Sequence, residues 1–200
     1  MEKDKIHMDR FQLYHERYMK LWNLINSAVK DRYVLQLLAL WEQHIAEGKT
    51  ENTFFEASLV SHIAETTMQH FGLALCKLFF DGNSENRLDA FNSFVQTEFR
   101  DYYVPRVSFA PLDQYKKVGA DLRLLRKRYY AHLGIEDALV SISVDELGKA
   151  LHELIVIFNQ LYLPEVDSEV IPYSLEQEWL AGFRTSYELA LILRSQKTGE

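Results

Sequence analysis

Over the first hundred residues, apolar positions recur at three- and four-residue steps, the spacing of one face of an α-helix. Phe11, Tyr14, Tyr18, Leu21, Trp22, Ile25 and Val29 form one stripe. After Lys30-Asp31-Arg32 a second stripe runs through Val34, Leu37, Leu38, Trp41 and Ile45, and Gly48 stops it. A third helix fits Phe54 to Phe80, with Leu59, Ile63, Phe71, Leu75 and Leu78 inward. Residues 81–86, Asp-Gly-Asn-Ser-Glu-Asn, carry turn chemistry. Leu88, Phe91, Phe94 and Val95 then mark a short helix. No proline precedes Pro105, so nothing in this half forces a break.

The second half is punctuated by Pro105, Pro111, Pro164 and Pro172. Residues 102–111 read as a loop, and Pro111 suits the first turn of a new helix. That helix is expected to reach about Leu133, with Gly134 at the position where helices commonly stop. Residues 138–144, Ala-Leu-Val-Ser-Ile-Ser-Val, are long enough only for a brief strand. A helix beginning at Asp145 aligns Leu147, Leu151, Leu154, Ile155 and Phe158. Beyond the linker around Pro164 and Pro172, Ser174 and Gln177 have the spacing of a capping box, opening a last helix to about Arg194. The pattern predicts an all-α protein, an antiparallel helical bundle with an additional C-terminal helix. Residues 1–165 form the bundle, and 166–200 form a linker and a helix that packs on it or on a second subunit.

Composition changes this picture little: 48% hydrophobic and 26% charged residues are ordinary for a globular chain. The single cysteine, Cys76, lies in an apolar run, which excludes a disulfide framework and points to a buried thiol. No apolar run approaches the length of a membrane span, and the charged N-terminus lacks the apolar core of a signal peptide. A cytoplasmic location is the expectation. The net charge of −7 argues against a surface that attracts nucleic acid as a whole. The cations are local: Lys116, Lys117, Arg123, Arg126, Lys127 and Arg128 fall together, with Asp121 the one anion among them.

Most catalytic signatures are missing. No histidine stands in a Glu-x-x-His pair of the kind that builds di-iron sites in bundles. The reverse order occurs at His44–Glu47 and His62–Glu65, where two solvated side chains three residues apart are the simpler reading. No glycine-rich phosphate loop, His-Glu-x-x-His or Gly-x-Ser-x-Gly occurs. Neither a metal nor another cofactor is expected.

The stretch Leu-Leu-Arg-Lys-Arg-Tyr-Tyr-Ala-His-Leu-Gly, 124–134, has two readings. On a helix, Tyr115, Val118, Leu122, Leu125, Tyr129 and Leu133 share the inner face. Arg126 and His132 flank that face about 120° apart. Arg128 lies one turn before His132, while Arg123 and Lys127 point to water. In the first reading these cations complement the negative end of the helix dipole. In the second, an imidazole near neutrality exchanges a proton beside an arginine that holds a phosphate.

The segment Arg-Lys-Arg-Tyr-Tyr-Ala-His-Leu-Gly resembles the signature of the HEPN superfamily: an arginine, four to six residues, then a histidine near the end of a core helix. Arg126 and His132 match it with five residues between. Ala131-His132 and the preceding basic and aromatic residues resemble the abortive-infection (AbiU-type) branch. Leu-Cys-Lys-Leu-Phe-Phe-Asp, ending at Asp81, resembles that branch's second helix. The likeness extends loosely from about residue 30 to 165. Two positions depart from the family: Lys127 stands where Asn or Asp is frequent, and Leu133-Gly134 stand where an acidic residue sometimes follows. The resemblance implies a HEPN-like bundle and a metal-independent endoribonuclease. Arg126 and His132 would be catalytic, with Lys127, Arg128, Arg123 and Asp81 toward RNA or nucleotide. It also implies a homodimer whose two motifs meet in one cleft, a toxin or antiphage role, and an antitoxin protein as partner. Other members are scaffolds that bind a nucleotide or a protein such as a nucleotidyltransferase antitoxin. A plain helical interaction domain is the third expectation.

Overall fold

The two N-terminal stripes are one helix. The computed structural model describes residues 2–47, 54–80, 87–102, 104–130 and 143–195, with side chains over 10–47, 58–80, 87–102, 104–124 and 143–188. Helix α1 spans Glu2–Ala46 without a break at Lys30-Asp31-Arg32. Neither glycine nor proline interrupts it, and the inward line Ile25, Ala28, Arg32, Leu35, Leu38 continues through the arginine. The part-buried stem of Arg32 takes an apolar place, and its guanidinium lies 3.4 Å from the Glu178 carboxylate.

After α1 come α2 (Phe54–Leu75), a π-helical turn (Cys76–Phe80), α3 (Leu88–Glu98), a 3₁₀ segment (Ala110–Tyr115), α4 (Lys116–Tyr130), α5 (Val144–Asn159) and α6 (Leu175–Ser195). The protein is an all-α helical bundle, and no strand occurs among the described residues. Residues 138–142, most of the brief apolar run before α5, lie outside the described residues, as do 81–86 and Gly134. Ser143 caps α5, its hydroxyl accepting from the Glu146 amide, so the helix starts one residue before Asp145. Contacts divide the chain into two units, residues 1–25 with 73–173 and residues 26–72 with 174–200.

The first unit is built on aromatic rings. Tyr14 and Tyr18 of α1 are fully buried. Tyr14 lies 5.5 Å from Phe91 and 5.6 Å from Phe99, and Tyr18 lies 4.5 Å from Phe158 between ring centres. Their hydroxyls find backbone partners, as buried phenols must. Tyr14 donates to the Leu161 carbonyl and accepts from the Leu163 amide, both at 2.9 Å, and Tyr18 donates to the Ile171 carbonyl at 3.0 Å. The segment after α5 is pinned again by Asn159, whose amide group bonds both the carbonyl and the N–H of Tyr173. Helix α5 buries Leu147, Leu151, Leu154, Ile155 and Phe158, the stripe expected of it.

In the second unit, Leu38 and Val60 form a small core covered by Val34, Leu37, Trp41, Ile63 and Ala64. Helix α6 opens with a reciprocal cap: the Ser174 hydroxyl accepts from the Gln177 N–H, and the Gln177 side chain accepts from the Ser174 N–H. Gly182 lies against the ring of Tyr33, where a Cβ would collide with it. Ala181 and Gly182 are buried, and this small-residue face lets α6 approach closely.

Candidate functional site

Helix α4 carries the basic segment. Pro111 stands in the first turn of the 3₁₀ segment, and buried Leu112 anchors it. The chain then passes directly into α4. Val118 and Leu122 are buried. Gly119 packs against the ring of Phe80, the last residue of the π-helical turn, with no room for a Cβ. These contacts fix the rotation of α4, so Lys116, Lys117 and Arg123 are exposed. Lys116 Nζ pairs with Asp113 at 3.0 Å, and Arg123 Nε donates to the Gly119 carbonyl at 3.2 Å, laying its side chain along its own helix. Arg123 therefore faces water, as the helical wheel predicts.

The backbone of Arg126, Lys127 and Arg128 belongs to α4, whose described span ends at Tyr130. The side chains of these three, together with Leu125 and Tyr129, lie outside the described residues, as do the whole of His132 and Asp81. Of the sequence-derived site residues, Arg123 is thus the one whose side chain is described. Cys76 is buried, which keeps its thiol away from solvent. His44, Glu47, His62 and Glu65 are all exposed on α1, its end and α2.

Two groups of titratable side chains escaped the sequence reading. His15 Nδ1 lies 2.7 Å from Asp167 Oδ2, and Asp167 Oδ1 accepts from the Glu169 N–H. Among the described residues, His15, Asp167 and Glu169 offer metal-ligating atoms within 4.8 Å of one another. At 2.7 Å the imidazole and carboxylate are hydrogen-bonded to each other, and this bond joins α1 to the segment after α5. In the second unit, Asp31 is half-buried, and its Oδ2 is buried without a hydrogen-bond partner among the described residues. Burial pushes the Asp31 carboxyl up to about 6, against the opposing charges of His70 and Lys30. No local spacing in the sequence announces either group: His15 and Asp167 are 152 positions apart, and Asp31 stands between two apolar stripes as an apparent break.

A shallow pocket of about 150 Å³ is bordered by Tyr102, Pro105, Tyr162, Leu163, Pro164 and Glu165. That volume is below the roughly 300 Å³ at which small-molecule sites begin. No described helix is long and apolar enough to cross a membrane. No family model, curated protein or solved structure matches the chain.

Proposed function

We propose that the protein is a metal-independent HEPN-type endoribonuclease, a toxin or antiphage effector of the cytoplasm that works as a homodimer. One observation carries the reading: Arg126 and His132 keep the family's arginine-to-histidine spacing, and the arginine stands on a helix of an all-α protein. His132 takes the proton of an RNA 2′-hydroxyl. The 2′-oxygen attacks phosphorus, the bond to the 5′-oxygen breaks, and the leaving 5′-oxygen gains a proton. Products are a 2′,3′-cyclic phosphate and a 5′-hydroxyl, with no metal in the balance. Arg126 offsets the charge that builds on the phosphoryl oxygens. Pairing two copies about a two-fold axis gathers both motifs and doubles the six cations of residues 116–128. Such a groove holds RNA although the chain's net charge is −7. Lys127, Arg128, Arg123 and Asp81 contact RNA in this reading.

The test compares purified wild type and His132→Ala on RNA in the presence of a chelator. Cutting by the wild type alone, leaving cyclic phosphate ends, supports the proposal. Equal cutting by both proteins, or by neither, overturns it.

The second reading is a non-catalytic HEPN module that binds a nucleotide or a protein partner such as a nucleotidyltransferase antitoxin. Lys127, at a position where the family frequently has Asn or Asp, favours it. Intact RNA together with saturable nucleotide binding, or a stable complex with a neighbour-encoded protein, would select it.

A further inference from the structure

We infer that the outer face of α6 is a self-association surface, occupied by the same helix of a second copy. On the inner side of α6, among the described residues, Ala181 and Gly182 are buried and Glu178 reaches Arg32. The outer side carries Leu175, Trp179, Phe183 and Tyr187 at successive four-residue steps, with Leu180 beside them. They are 78%, 59%, 60%, 59% and 50% exposed in that order. Four large side chains in one row with Leu180 beside it, three of the five aromatic, are not scattered surface residues. Trp179 and Phe183 already stack on each other, ring centres 5.4 Å apart and 16° from parallel, so little side-chain freedom is left to lose on docking.

Three features select a second copy as the occupant. The first is the ridge. Residues 175, 179, 183 and 187 form one four-step row, and Glu176, Leu180, Arg184 and Glu188 form the next. Interdigitating four-step rows of both partners is the commonest helix crossing, and a two-fold axis provides it from a single sequence. The second is charge. In an antiparallel pair centred on Leu180, Glu176 of each copy lies opposite Arg184 of the other, whereas parallel pairing sets like against like. Arg184 has its Nε 3.1 Å from Glu188 in its own helix, but both side chains are well exposed, so this contact yields easily. The third is area. Around Leu180, the side chains of Leu180, Phe183 and Tyr187 with the near edge of Trp179 expose on the order of 400 Å² of apolar surface. Two copies then bury about 800 Å² before the polar rim is added, the size of a weak, reversible interface.

This inference stands without the ribonuclease reading: the pairing can form whether or not RNA is cut. Sedimentation equilibrium of the full chain tests it, at roughly 100 µM, where even a micromolar interface is filled. The wild type is expected to be a dimer. Trp179→Glu with Phe183→Glu should raise its dissociation constant at least about 30-fold, the effect of losing one hot-spot residue. Arg184→Glu should weaken the dimer, and adding Glu176→Arg should restore it. Leu180→Cys, at the two-fold centre, should form an intermolecular disulfide under mild oxidation. Glu188→Cys should not, because it lies too far from its counterpart for the roughly 7 Å limit between Cα atoms. A monomeric wild type, a dimer untouched by the paired glutamates, or cross-linking at 188 in place of 180 would each overturn the assignment. The cysteine pair needs no disruptive substitution, so it gives an answer even where the paired glutamates unfold.

Discussion

Gly119 of α4 lies flat against the ring of Phe80, and a methyl group placed there would overlap it. The contact sets how closely α4 approaches the π-helical turn, and hence where the basic segment runs. Alanine favours a helix over glycine by about 1 kcal/mol, so on propensity alone Gly119→Ala stabilises. Overpacking costs typically 1–3 kcal/mol and should win here. A lower urea midpoint for Gly119→Ala, partly recovered when Phe80→Leu is added, is the expected result.

Tyr14 bonds two backbone groups, the Leu161 carbonyl and the Leu163 amide. Tyr14→Phe keeps the aromatic packing and leaves both unpaired and buried. Each orphaned group costs about 1–3 kcal/mol, so a loss of about 2–6 kcal/mol should appear in chemical denaturation, with far-ultraviolet helicity unchanged. Burial pushes the Tyr14 phenol well above its usual range, so the loss should be the same from pH 6 to pH 9.

Asp31 gives the second unit a pH dependence of unusual sign. Its folded-state carboxyl is raised to about 6 from 3.8, so between those values the native protein holds a proton that the unfolded chain has released. Stability therefore falls as pH rises from about 4 to 6, and above that the full penalty stands. Asp31→Asn removes the charge and should flatten this slope. Because the group is partly solvated, the gain at pH 7 should be about 1 kcal/mol. Thermal melts of both proteins from pH 4 to pH 8 measure it; a wild-type melting temperature that climbs across this range would contradict the assignment.

Ser174 and Gln177 close the first turn of α6 on each other. Ser174→Ala should cost about 1 kcal/mol. Hydrogen exchange should show the loss first at the amides of the opening turn. Gln177→Glu preserves the acceptor and should leave protection nearly intact.

Elements with a short, self-contained signal were legible in the sequence. Leu88, Phe91 and Val95 of α3 and the apolar stripe of α5 are buried where their spacing puts them, Phe94 is part-buried, and the cap of α6 forms as its two residues suggest. The continuity of α1 was not legible. Arg32 interrupts the apolar line on paper, yet its methylene stem packs as an apolar group while its charge meets Glu178. The exposed row on α6 was missed for the opposite reason. Leu175, Trp179 and Phe183 look like a core stripe, and only the placement of Ala181 and Gly182 against the core reveals that the small residues face inward. For the candidate site, Arg126 and His132 stand out through the resemblance of their segment to a family signature, and their side chains lie outside the described residues. The His15–Asp167 pair had no such signal, since partners so distant in sequence share no local pattern.

The hydroxyl of Tyr14 and the carbonyl of Leu161 are 147 positions apart. A ribosome adding 5–20 residues per second needs about 7–30 s to deliver the second after the first. Phe91 and Phe99 arrive about half-way through that interval, but Phe158 and the carbonyl acceptors of both tyrosine hydroxyls come only at its end, so the N-terminal rings stay incompletely covered until then. Synthesis of this chain therefore passes through a long window in which a chaperone that shields aromatic surface has something to hold.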